Sequence, residues 1–325
     1  MRSWRRGGWP RCSSPDRRGR GDTRAAPTVR AVRVSVRRYL ARVIAVPFVV
    51  SLGLAAVLAP ALLTALRAAA WTAPNHRGRR LPYPTGLLVG IVAPLALAGL
   101  ALLELLLAGA DALPAGAIEA AAYVGGVAAL GLIDDLARGG ERGPRGVRAH
   151  LVSTARGRPS SGAVKAVGTA ALALGVVAAP GSDLASAGTA ASVLSVAALT
   201  LGPHVFNLLD LRPGRSLKGL ALLGAGLTLG TRDLDPLRTL AAVLGPLLVL
   251  LPLDVRERGM LGDTGASAVG AVAGLWLVLT LPPLGQAVAV GALAAIALYG
   301  EWRSITALVE RNPLLRQLDS LGQCG

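Results

Sequence analysis

Aromatic side chains are scarce in this chain: two Phe, four Tyr and five Trp in 325 residues, or 3%. Aromatic and β-branched residues fill the interiors of packed sheets, so a β-sheet core is set aside. Charged residues amount to only 16%, and lysine occurs twice, against 32 arginines. The two cysteines, Cys12 and Cys324, lie near opposite ends and provide neither a disulfide framework nor a metal spacing. The three histidines, His76, His150 and His204, are too scattered for a His-based zinc site. What remains is leucine, alanine and valine. The chain is 53% hydrophobic with a mean hydropathy of +0.55, a level that soluble domains of this length rarely reach.

The net charge is +16. Such a value invites a nucleic-acid reading, but the positions of the charges argue against it. Thirteen of the 34 basic residues precede residue 43, and most of the others fall in short loops between apolar runs. Membrane proteins distribute charge in this way. Basic loops also suit anionic lipid headgroups and phosphorylated substrates.

Residues 1–38 are rich in Arg, Gly and Ser and read as a disordered tail. A start codon further downstream would leave them untranslated, and both readings stay open. A secretory signal fits poorly, because the apolar run after the tail is long enough to span a bilayer. Apolar runs then recur, predicting helices near 41–69, 86–109, 115–133, 163–180, 188–206, 217–230, 237–253, 264–281 and 285–300. The run at 217–230 is short for a span of about 20 residues. The expected fold is an all-α, polytopic transmembrane bundle of nine to eleven helices, with a membrane domain over 39–303 and a tail over 304–325.

Sorting the loops alternately separates two sets. The loops 70–85, 134–162, 207–216, 254–263 and the tail from 301 contain sixteen arginines. The loops 110–114, 181–187, 231–236 and 282–284 contain Arg232 alone. Positive residues remain cytoplasmic, so the first set is expected to face the cytoplasm of a plasma (inner) membrane. The same parity puts the basic N-terminal tail outside, against that rule. The arginines of 138–162 read either as a solvated loop over anionic lipid or as a lid that gathers phosphate.

The first set also carries carboxylates. Asp134 and Asp135 close the third run in Gly131-Leu-Ile-Asp-Asp135. Asp210 comes after the fifth in Asn207-Leu-Leu-Asp210, and Asp263 opens the eighth in Gly262-Asp-Thr-Gly265. All four fall where an apolar run meets a loop, so they are expected to converge at one membrane depth. Any one of them alone is explained as an interfacial helix end, and Asp263 as a helix cap. Together they would repel unless a cation joined them. Mg2+ takes oxygen ligands and keeps positions open for phosphate oxygens, and neighbouring arginines would hold further phosphate charge. The pattern therefore predicts metal-assisted phosphoryl transfer. Glu104, inside the second run, is expected near the opposite membrane surface.

With Asn75-His-Arg-Gly-Arg-Arg-Leu-Pro-Tyr-Pro-Thr-Gly86 these motifs form an ordered set of four over residues 40–300. In this the chain resembles the polyprenyl-phosphate N-acetylhexosamine-1-phosphate transferases, the family that includes phospho-N-acetylmuramoyl-pentapeptide transferase. The resemblance implies a Mg2+-dependent enzyme that moves a sugar-1-phosphate from a UDP-sugar to polyprenyl phosphate and releases UMP, for cell-wall or surface polysaccharide. It also admits a homodimer. By resemblance Asp263 is the metal ligand. Asp134 and Asp135 accept the lipid phosphate's proton or help to place the metal. Asn207 and Asp210 begin the third motif, and Arg79 or Arg80 is the basic residue near the nucleotide. The chain also departs from the family pattern. The third motif continues as Asp210-Leu-Arg-Pro-Gly-Arg-Ser216, with Pro213 where the family has a second Asp. Met260 stands where the muramoyl-pentapeptide enzymes stack an aromatic on uracil, and no His occurs beyond His204. Arg212 and Arg215 are alternative phosphate ligands. A divergent paralogue with another nucleotide donor, or with no catalysis, is the second expectation, and a transporter the third.

Overall fold

The computed structural model describes residues 29–106, 113–138, 161–180, 182 and 188–322, with side chains from residue 45 onward. The chain divides into two units, Met1–Tyr39 and Leu40–Gly325, and the helix bundle belongs to the second. The basic stretch 139–160, His150 and Asp183 fall outside the described residues, as do Cys12 and Cys324.

Eleven helices and one small hairpin make up the described chain. They run α1 (Val29–Ala68), β1 (Thr72–Pro74), β2 (Arg80–Pro82), α2 (Leu87–Leu106), α3 (Ala117–Arg138), α4 (Ser161–Ala178), α5 (Thr189–Leu209) and α6 (Arg215–Thr231). Next come α7 (Asp235–Val255), α8 (Gly262–Thr280), α9 (Pro283–Trp302), α10 (Ile305–Arg311) and α11 (Pro313–Ser320). Eight of the helices are long and apolar enough to cross a membrane. The protein is thus an all-α, multi-pass membrane bundle. The 17-residue α6 starts at the end carrying the carboxylates and finishes at the other, where Asp233 shares a cavity of ≈ 420 Å³ with Pro114, Glu119 and Ser182. The described residues of the two sets of loops sorted from the sequence therefore gather at opposite ends of the bundle.

Three boundaries differ from the sequence reading. Helix α1 is described from Val29, ten residues before the expected start of the membrane domain; the four arginines of 29–38 propagate a helix well, and no Gly or Pro falls among them. Helix α3 continues through Leu136 and Ala137 to Arg138, which places Asp134 and Asp135 on the helix rather than after it. The tail beyond 304 contains two short helices. Asn312 caps α11 by accepting from the N–H groups of Leu314 and Leu315, with Pro313 at the first helical position.

Helix α8 is the hub. Almost nine-tenths of its span is buried, whereas α9 buries about one-tenth. Small residues explain the difference, since lipid offers no hydrophobic gain and packing depends on close backbone approach. Gly270 of α8 meets Gly202 and Pro203 of α5, and Gly274 meets Ala198 and Leu199. Helix α9 instead exposes Leu284, Val288, Ile296 and Leu298, as a lipid-facing helix does.

Candidate functional site

Among the described residues, every buried charged side chain lies at one end of the bundle: Asp134, Asp135, Lys165, Arg215, Asp254 and Glu257. Charge in such surroundings must be paired or hydrogen-bonded, and each of these side chains takes part in a connected structure.

Its centre is the start of α8. The first N–H groups of a helix have no partner within it, and here a side chain from another helix supplies one. Asp135 Oδ1 accepts from the Asp263 N–H at 2.9 Å and from the Tyr83 hydroxyl at 2.5 Å. Its Oδ2 accepts from the Thr264 N–H at 2.9 Å and the Thr264 hydroxyl at 2.6 Å. The second and fourth motifs are thereby joined. Gly131 permits the approach, because a Cβ there would strike the carbonyl of Asp263. Gly262 has φ 73°, which favours glycine, and a Cβ there would lie 2.5 Å from Pro84.

Asp134, next to Asp135, is 1% exposed. Lys165 of α4 reaches between the acids, with its Nζ 3.9 Å from Asp134 Oδ2 and 3.6 Å from Asp263 Oδ2. Asp263 is the most open of the three, its side chain 21% exposed. Three helices thus deliver two carboxylates and an ammonium group to one point. Lys165 is not among the candidates read from the sequence. Its signal is there: one of only two lysines, placed within an apolar run, where an ionisable residue marks function by default.

The donor set can be tested against Mg2+. Among the described residues no group of three or more His, Cys, Asp or Glu is arranged to hold a metal. Mg2+ does not need such a cage: one or two carboxylates suffice, with water and substrate phosphate completing the shell. Asp134 and Asp263, both within 4 Å of the same Lys165 nitrogen, fit that description. They do not fit a metal that demands a full set of protein ligands.

The first motif forms the hairpin β1–β2 and its turn. Asn75 Oδ1 accepts from the N–H groups of Arg77 and Arg79. Asn75 Nδ2 and Arg79 Nη1 donate to Glu257 Oε2, at 3.0 and 3.2 Å, and Arg77 Nε lies 3.5 Å from the other oxygen. Arg79 is therefore held by Glu257. Arg80 is exposed and bonds within the hairpin, to the hydroxyl and carbonyl of Thr72. Beyond the hairpin, 82–86 runs along the fourth motif, with Met260 N–H donating to Pro82 O and Thr85 N–H to Met260 O. Tyr83–Pro84 is a cis peptide bond.

The third motif lies beside this junction. Asn207 Oδ1 accepts from Ser267 of α8 at 3.3 Å. Asp254 Oδ2 accepts from the Gly214 N–H at 2.6 Å, at the start of α6. Asp210, half-buried, lines a small cavity of ≈ 70 Å³ with Asn75, His76, Arg212, Pro213, Asp254 and Met260. Burial raises the Asp210 carboxyl well above its ordinary range, and the carboxylates of Asp254, Asp263 and Asp135 push the same way, against Arg215. His76 is moved down by burial and by Arg212.

Two arginines read as phosphate ligands have protein partners. Arg215 forms a two-pronged pair with Asp319 of α11, at 2.8 Å on each oxygen, and donates to Thr306 at 3.2 Å. Arg212 pairs with Glu310 at 3.0 Å. The structure thus brings Asp134, Asp263 and Lys165 together, places Asp135 beneath them as the cap of α8, and ties Arg79, Arg212 and Arg215 to acidic side chains. Tyr83, Asp254 and Glu257 do not stand out in the sequence, because each acts through partners 40 or more residues away. Glu104 is at the opposite end of the bundle and accepts from the Leu113 N–H at 2.5 Å. His204 is exposed on α5.

Compared with known protein families and with curated proteins, the chain matches no family model and no curated sequence.

Proposed function

We propose that this protein is a membrane phosphotransferase that moves a sugar-1-phosphate from a UDP-sugar to polyprenyl phosphate, with Mg2+, at the cytoplasmic face of the plasma membrane. The observation that carries the reading is the meeting of Asp134, Lys165 and Asp263 at one end of three membrane helices. The second and fourth motifs of the resemblance supply both acids.

In the reaction, an oxygen of the lipid phosphate attacks the phosphorus bearing the sugar. The bond from that phosphorus to the bridging oxygen of UMP breaks, and UMP leaves with the electron pair. Bound Mg2+ would neutralise charge on the diphosphate, held by Asp263 with Asp134. Lys165 offers a positive charge to a phosphate oxygen. Asp134, almost fully enclosed, would either help to hold that Mg2+ or take a proton from the incoming lipid phosphate. Asp135 positions Asp263 through the helix start it caps. The cavity of ≈ 70 Å³ beside Asp210 has the size of a phosphate group rather than of a whole nucleotide, which needs roughly 300 Å³ or more.

Purified protein with Mg2+, undecaprenyl phosphate and a panel of UDP-sugars is expected to release UMP. A folded preparation that releases none from any donor would sink the reading.

A second reading keeps the fold and changes the role, to another nucleotide donor or a non-catalytic membrane partner. The commitment of Arg212 and Arg215 to Glu310 and Asp319 favours it, since neither guanidinium then serves a nucleotide. The melting temperature in detergent separates the two, because a ligand that binds only the folded state must raise it. UDP-sugar with Mg2+ raises it under the first reading; under the second, another nucleotide does, or none.

A further inference from the structure

The last described helix, α11, has three different sides. At 100° per residue, Leu314, Leu318 and Leu321 share one face, with Leu315 at its edge. Arg316 and Ser320 lie opposite. Asp319 lies on the flank between them and is taken by Arg215, while Lys218 Nζ donates to the carbonyls of Leu318 and Asp319, at 3.2 and 2.5 Å. One flank is thus fastened to the bundle. The leucine face is not covered: Leu314 is 71% exposed and Leu321 61%.

Both anchors of this segment lie at the same level of the bundle. Its upstream end leaves α9, a lipid-facing span that ends in Tyr299 and Trp302, the latter 85% exposed. Aromatic residues at the end of a span mark the boundary between hydrocarbon and headgroups. Its downstream end is fixed to Arg215, the first residue of α6, at the charged end of the bundle. A helix tethered at both ends to that boundary, with a bare apolar face, meets the bilayer surface.

Charge identifies the kind of surface. The two acids of the segment, Glu310 and Asp319, are paired with Arg212 and Arg215. Arg303, Arg311 and Arg316 are exposed. The segment therefore presents net positive charge beside its leucines, which suits anionic phospholipid headgroups and disfavours a second copy of itself. We infer that 304–322 forms an interfacial anchor, with Leu314 and Leu318 of α11 and Leu321 just beyond its end inserted among the headgroups of an anionic bilayer and Arg215–Asp319 as the latch that sets its orientation.

The test uses the full chain in nanodiscs, with Cys12→Ser and Cys324→Ser and single labels at Leu314→Cys, Leu318→Cys or Ser320→Cys. A nitroxide on each reports collisions with oxygen, which concentrates in lipid, and with a water-soluble nickel chelate. Labels at 314 and 318 are expected to favour oxygen and the label at 320 the chelate, with the contrast growing when anionic lipid replaces neutral lipid. Equal chelate access at all three would overturn the inference. Protection at 314 and 318 that appears only with two copies per disc would also overturn it, and would make a second copy the occupant.

Discussion

The carboxylate of Asp135 takes both the N–H and the hydroxyl of Thr264, at 2.9 and 2.6 Å, and so caps a helix 129 residues further along the chain. Adjacent Asp134 faces Lys165 instead. Two acids that are neighbours in sequence thus have separate tasks, and their variants are expected to behave differently.

Asp135→Asn turns part of an acceptor into a donor facing donors. With buried N–H and hydroxyl groups left unsatisfied, the expected loss is about 2–4 kcal/mol. The melting temperature in detergent should fall clearly. An unchanged value would show that the cap of α8 is dispensable.

Asp263→Asn is expected to abolish UMP release, and Asp134→Asn nearly so. The cap of α8 rests on the side chain of Asp135, and Lys165 keeps Asp134 as a partner, so the Asp263 variant should melt below the wild type by less than the Lys165 variant does. Wild-type turnover by the Asp263 variant would remove it from the metal site.

Lys165→Gln leaves two carboxylates facing each other without their cation. Breaking a buried pair costs about 3–5 kcal/mol. Mg2+ bound by the same acids would offset part of that loss. The expected result is a lower melting temperature that rises more with added Mg2+ than the wild type's does. The same Mg2+ response in both proteins would place the metal elsewhere.

Asp210 carries a prediction about pH. Its carboxyl is raised above the ordinary 3.8 in the folded state, by burial first and by neighbouring carboxylates second. A group raised in this way contributes stability that is full below the unfolded value and is lost as pH climbs through the folded one. Without divalent cation, the wild type should therefore lose stability as the pH rises above the ordinary carboxyl range. Asp210→Asn, which resembles the protonated acid, should lose less over that rise. Parallel melting profiles for the two proteins would show that Asp210 is not the group responsible.

The membrane class, the helix count and the segregation of charge were legible in the sequence because they depend on local composition. A span needs about 20 apolar residues wherever it packs, and arginine favours one side of the bilayer whatever its neighbours. The convergence of the acids was legible for the same reason, since Asp134 and Asp263 both mark an end of an apolar run. Their tasks were not. That Asp135 caps α8, that Lys165 stands between Asp134 and Asp263, and that Arg215 belongs to Asp319 all depend on side chains separated by 31 to 129 residues. A charge in a sequence gives no direction. Tertiary packing decides its partner, because burial makes an unpaired charge too costly to leave in place.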